Sequence, residues 1–126
     1  MNKQAIFTED APPAVGPYSQ AIRSGDLLFL SGQIGINPES KTLVEGGVEA
    51  EAFQIFKNIK AVLKEAGAEL KHVIKATVFL TDMGDFKKVN DIYAQHFEAP
   101  FPARSAVAVK ELPLYVNIEI EVIARL

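Results

Sequence analysis

The alternation of apolar and polar residues divides the chain into strands and helices. Residues 20–24 and 27–34 read as strands joined by the turn Ser24-Gly25-Asp26. The second, LLFLSGQI, begins as a continuous apolar run, the pattern of a strand buried on both faces. Over residues 48–66 the period changes. Ala52, Ile55, Phe56, Ile59, Leu63 and Ala66 recur at three- and four-residue spacing and form one helical stripe, with Lys57, Lys60 and Lys64 toward the other side. Gly67 stands where a left-handed cap ends a helix. Residues 72–81, HVIKATVFLT, are β-branched and aromatic. Ile74, Ala76, Val78 and Leu80 fall on one strand face, Lys75 and Thr77 on the other. A second helix is predicted over residues 85–97, with Asp82 or Asp85 as N-cap and a stripe of Phe86, Val89, Tyr93, His96 and Phe97. Pro100 and Pro102 end it. Strands over 103–109 and 116–124 complete the order β-β-α-β-α-β-β. Residues 8–19 and 35–47, marked by Pro and Gly, read as loops.

Two helices and one sheet predict a two-layer α+β domain with the helices on one sheet face. The other face then meets water or another subunit. In the last strand Ile118, Ile120, Val122 and Ala124 point one way and Asn117, Glu119, Glu121 and Ile123 the other. The early strand, apolar on both sides, favours an oligomer.

Composition narrows the chemistry. The 126 residues suit one domain, 1–126, with no break in composition to mark a linker. Hydrophobic residues at 48% and charged residues at 23% exclude a disordered chain. Cysteine is absent, which excludes disulfides, thiolate metal sites and cysteine nucleophiles, and allows a reducing compartment. His72 and His96 are too few for an all-histidine metal site, so neither a metal nor a cofactor is expected. A net charge of -3 argues against a nucleic-acid partner. The opening run Met1–Phe7 lacks the apolar core of a signal peptide, and no segment approaches the ~18 apolar residues of a membrane span. The expectation is a cytoplasmic protein with no membrane partner.

Arg104 begins a strand just after Phe101-Pro102-Ala103, and its face continues with Ala106 and Ala108. Small neighbours leave room beside a guanidinium, which can grip a carboxylate or phosphate through two parallel hydrogen bonds. The alternative is an arginine that ends the strand and reaches water. Glu119 and Glu121 share a strand face. A carboxylate there could orient water or shuttle a proton in a subunit interface, or simply be a solvated edge charge. Ser31-Gly32-Gln33 interrupts an apolar strand, where glycine marks either a bulge or the close approach of a ligand. Tyr18, in Gly16-Pro17-Tyr18-Ser19, either walls a pocket or plugs the core edge. His96 follows its helix stripe and reads as a packed histidine, and His72 as a residue that caps or precedes a strand.

Together these segments resemble the reactive intermediate deaminase family, also called RidA or YjgF. The resemblance spans almost the whole chain, in APPAVGPYSQAI, LSGQIGINP, VIKATVFLTDMGDFKKVNDIYAQHF, FPARSAVAV and VNIEIEVIA. It implies a chorismate-mutase-like fold, a homotrimer with clefts between subunits, and hydrolysis of 2-imino acids to 2-oxo acids and ammonia without a cofactor. By position, Arg104 would bind the substrate carboxylate and Glu119 would position water or transfer a proton. Tyr18 would line the cleft and Gly32 would bring its backbone beside the ligand, with Ser31 and Asn90 as further cleft residues. One departure stands out: many members have cysteine where this chain has Ala106, which leaves only that residue's backbone for binding. Two other readings are a carboxylate-binding regulatory module without turnover, and an endoribonuclease or translation inhibitor, labels family members have also carried.

Overall fold

A computed structural model describes residues 3–126; Met1 and Asn2, part of the opening run read above for a leader, lie outside it. In chain order the elements are β1 (Gln4–Ile6), β2 (Ala21–Ser24), β3 (Leu27–Leu30), β4 (Ile36–Asn37), β5 (Thr42–Leu43), α1 (Gly47–Glu65), β6 (Val73–Leu80), α2 (Phe86–His96), β7 (Ala103–Ala108) and β8 (Ile118–Arg125). Six strands form one mixed sheet in the order β1-β2-β3-β8-β6-β7, and β4 pairs only with β5. Within the large sheet only β6 and β7 run parallel. α2 makes the crossover that a parallel pair requires.

Both helices cover one face. Ile55, Phe56, Ile59 and Leu63 of α1 and Val89, Ile92 and Tyr93 of α2 supply the helix side of the core. Leu28 and Leu30 of β3, Ala76, Val78 and Leu80 of β6, and Ile118, Ile120, Val122 and Ala124 of β8 supply the sheet side. Each Val, Leu, Ile or Phe side chain among them contributes roughly 1.5–3 kcal/mol on burial. α1 ends as its sequence predicts. Gly67 has φ +80°, the Ala68 N–H donates to the Leu63 carbonyl at 2.8 Å, and the Gly67 N–H donates to that of Lys64 at 3.0 Å. His96 stacks on Phe56 with ring centroids 4.1 Å apart, and its Nδ1 lies 2.8 Å from the Ile92 carbonyl, the packed role expected of it. His72 accepts the Glu69 N–H at 2.9 Å and so caps the turn before β6.

Three features differ from the sequence reading. The apolar run after residue 27 is a strand only to Leu30. There Leu28 and Leu30 are buried while Leu27 and Phe29 face outward, so within one chain the strand buries a single face. Ile74 does not join Ala76 and Val78, because a bulge between Val73 and Lys75 inserts one extra residue and turns Ile74 to the exterior. Finally, β1 and the β4–β5 hairpin arise in segments with no visible alternation, each strand being too short to show a period. The Asn37 side chain shapes the hairpin by accepting the Glu39 N–H at 2.8 Å.

Candidate active site

The site residues fall into two groups on opposite faces of the sheet. β7 lies at the sheet edge, and Arg104 pairs with Ala76, whose side chain points to the helices. Arg104 therefore stands on the helix side. Its Nη1 donates to Asn90 Oδ1 at 2.7 Å. Its guanidinium carbon lies 4.7 Å from the Tyr93 ring centroid and 5.4 Å from that of Phe86, both within cation–π range. An exposed arginine is thus held at one nitrogen and across its plane, and its other donors have no partner among the described residues. Asn90, Tyr93, Ala94, Phe101, Pro102 and Arg104 enclose a cavity of about 350 Å³. Burial pushes the Tyr93 phenol up, against the pull of the Arg104 charge, and its hydroxyl has no partner among the described residues. Ala106 packs partly against the core and does not line this cavity, so the space beside Arg104 opens toward α2 and Pro102 instead of along the strand.

Glu119 occupies the other face. It pairs with Phe79 of β6, and Glu121 pairs with Thr77 beside it. Burial, and then the neighbouring Glu121 charge, push the Glu119 carboxyl above the ordinary carboxylate value. Gly32 passes directly beneath it: a Cβ on Gly32 would stand 2.7 Å from Glu119 Cδ. Only glycine leaves space for the carboxyl there. Gln33 exchanges two backbone bonds with Ile120, at 2.8 and 3.0 Å, and so ties the Gly32 backbone to β8. Ser31 donates its hydroxyl to the Ser19 carbonyl at 2.6 Å, which joins the Tyr18 loop to the same region. Tyr18 is about half exposed, and its hydroxyl accepts the Val15 N–H at 3.4 Å.

Ser31, Gly32 and Glu119 thus come together, with the Tyr18 loop tied to them, and Asn90 joins Arg104. A single chain does not bring the two groups together. The sequence reading missed Tyr93 as the shelf for Arg104, having assigned it to the core; its place one helical turn beyond Asn90 on the face toward β7 was the available signal. It also missed Gln20, a buried amide that organises the Pro-rich loop. A larger cavity of about 730 Å³, lined by Lys60, Lys64, Leu70, Val73, Phe97 and Pro100 among others, includes none of the expected site residues. Among the described residues no three His, Asp or Glu side chains converge to hold a metal, and no helix is long and apolar enough to cross a membrane.

Residues 8–126 match the family model described as Endoribonuclease L-PSP. The chain is 49% identical to Reactive Intermediate Deaminase A, chloroplastic, of Arabidopsis thaliana, over all of this chain and 67% of that protein. It is 48% identical to the 2-iminobutanoate/2-iminopropanoate deaminase of Homo sapiens, over 97% of this chain and 89% of the other. The solved structure of E. coli TdcF with bound serine superposes with a TM-score of 0.92 at 40% identity, covering 98% of this chain and 99% of that one.

Proposed function

The chain belongs to the Endoribonuclease L-PSP family, that of the RidA and YjgF proteins, and on that footing we propose that it hydrolyses 2-imino acids to 2-oxo acids and ammonia. The observation that carries this reading is the 48% identity, over nearly the whole chain, to an enzyme named for that activity. Arg104 binds the substrate carboxylate through donors left free by Asn90, and the Tyr93 ring keeps the guanidinium plane in place. Water adds to the imine carbon, the C–N bond breaks, and ammonia leaves with the proton it needs. Glu119, whose raised carboxyl keeps more of its protonated form than an ordinary glutamate, moves that proton between water and nitrogen. Tyr18, Ser31 and Gly32 line the Glu119 side, and Ala106 contributes only its backbone. A protonated imine is already electrophilic, so orientation and one acid–base group suffice without a cofactor.

Because Arg104 and Glu119 face opposite ways, the working cleft combines two copies of the chain, and we assign a homotrimer. The outward-facing Leu27, Phe29 and Val107 support an assembly that covers the open sheet face. We assign a cytoplasmic location, which the cysteine-free sequence fits. The serine held by E. coli TdcF favours a second reading, a carboxylate binder without turnover.

The test generates 2-iminopropanoate with an amino-acid oxidase and traps the remaining imine with semicarbazide. Wild type is expected to deplete the trapped imine and Arg104→Ala to leave it at the uncatalysed level. Arg104→Lys keeps the charge but loses the two-point grip, and should lower kcat/KM by roughly 10- to 100-fold. If wild type binds 2-oxobutanoate in calorimetry but leaves imine decay unchanged, the carboxylate-binder reading takes over.

A further inference from the structure

Glu51, on the buried side of α1, is 2% exposed, the one charged side chain so deeply buried among the described residues. Among those residues no basic group pairs with it, and their one ion pair joins Lys71 and Glu69 at the surface. A buried carboxylate without a cation persists only where hydrogen bonds satisfy it. Here a single residue satisfies both oxygens. The Asn117 backbone N–H donates to Oε1 at 2.9 Å and its side-chain amide donates to Oε2 at 2.6 Å. Bonds of this kind to an ionised acceptor are the strong class. Asn117 directly precedes β8, two residues before Glu119, and its carbonyl accepts the Thr81 N–H from the end of β6 at 3.2 Å. It is therefore pinned between helix and sheet.

The same carboxylate-bearing turn of α1 also fixes the segment beneath Glu119. Gly35 lies against it so closely that a Cβ there would stand 2.8 Å from Glu51 Cα. From Gly35 the chain runs back to Gly32, under the Glu119 carboxyl. Thus α1 holds both strips of backbone that frame that carboxyl: the start of β8, through Asn117, and the Gly32–Gly35 segment, through Gly35. A helix built only for packing would place an apolar residue at position 51, as it does at Ala52, Ile55 and Ile59.

We propose that Glu51 is a positioning residue, which through its two bonds to Asn117 sets the place of the Glu119 carboxyl over Gly32. This rests on the reading of Glu119 as the acid–base group. Asn117→Asp sets carboxylate against carboxylate. It should lower kcat by roughly 10- to 100-fold while KM stays within about threefold, because Arg104 on the other face is untouched. Glu51→Gln combined with Asn117→Asp restores a donor opposite each acceptor and should return kcat to within about threefold of wild type. Glu51→Gln alone should stay near wild type, since the Asn117 amide can turn over to accept from glutamine. Should Asn117→Asp not fold, Asn117→Ala, which removes only the side-chain bond, takes its place, with the same split between kcat and KM expected. A folded Asn117→Asp, or Asn117→Ala in its place, with unchanged kcat, or a double variant without recovery, overturns the proposal. If wild type itself leaves imine decay unchanged, the reading of Glu119 fails by that result alone. The anchor is then judged by the amide NMR shifts of Gly32 and Glu119. Displacement in Asn117→Asp with return in the double variant supports it, and unmoved shifts overturn it.

Discussion

Glu119 is half-buried, and Glu121 stands beside it on the same strand face; both effects oppose its ionisation. A carboxyl whose folded value lies above its unfolded value holds its proton more tightly when folded. The ionised form then costs stability above the folded value, and that cost disappears once pH falls below the unfolded value, about 4.3. Wild type should therefore gain stability from this group as pH is lowered from neutral. Glu119→Gln removes the charge without changing the shape. Its melting temperature should exceed that of wild type at neutral pH, and the difference should close below about pH 4. The same variant should lose imine hydrolysis, so the group that serves the chemistry would be one the fold carries at a cost. A variant less stable than wild type at neutral pH, in parallel melts across that range, would show that Glu119 makes a stabilising contact in its charged form. The sequence revealed Glu119 as one of two glutamates, with Glu121, on one face of the last strand. It did not reveal the close approach of Gly32, because residues far apart along the chain make that contact.

Elements defined by a long period were legible in advance, and those defined by single side chains were not. α1, α2, β6 and β8 each carry enough apolar residues for their period to show, and all four appear where the pattern puts them. The segment over residues 8–19 was legible as an ordered loop, but not by what it is ordered. Its order comes from Gln20, which is 3% exposed. Gln20 Oε1 accepts the Thr8 N–H at 2.7 Å, while Nε2 donates to the carbonyls of Thr8, Ala11 and Pro12 at 3.0, 3.3 and 2.9 Å. One amide thus replaces the ladder that a proline-rich segment cannot build. The polar residues of α1 escaped notice in the same way. Gln54 Nε2 donates to Asn58 Oδ1 at 2.9 Å, and Asn58 donates to the carbonyls of Ile34 and Ile36 at 3.3 and 3.0 Å, so a polar stripe beside the apolar one holds β4 and the residues just before it. Gln20→Ala strands a buried N–H and several carbonyls, and each orphaned group costs ~1–3 kcal/mol. Urea unfolding should show a loss of roughly 2–4 kcal/mol. Gln20→Glu should not rescue it, because a carboxylate has no hydrogen to offer those carbonyls. A loss within about 0.5 kcal/mol for Gln20→Ala, the range of an ordinary surface change, would mean that the prolines hold the loop unaided.

At the scale of the whole molecule, the sheet has one face fully used and one left open. The open face carries Leu27, Phe29 and Val107 outward, at 36%, 41% and 43% exposure, beside Lys75, Thr77 and Glu121. Phe29, Lys75, Thr77, Glu121 and Ile123 line a shallow hollow of about 280 Å³ there. Apolar residues grouped this way on a sheet face mark a surface that another chain covers. On the proposed function the two half-sites carry the same requirement: an Arg104 and a Glu119 that act on one substrate meet it across a boundary between copies. Assembly and catalysis are then one property, and a change confined to the open face should remove both. Phe29→Asp tests this, because Phe29 lies outside the core and its replacement leaves the helix-facing side chains in place. The charge would be buried without a partner in the assembly, beside the existing Glu121, but solvated in the free chain. Light scattering after size exclusion should find the mass of three chains for wild type and of one chain for the variant. The far-ultraviolet circular dichroism should match in the two, and the variant should hydrolyse no imine even at a concentration where wild type is saturated. A monomer of Phe29→Asp that retained full activity would place Arg104 and Glu119 in separate roles, and the carboxylate grip alone would have to account for turnover.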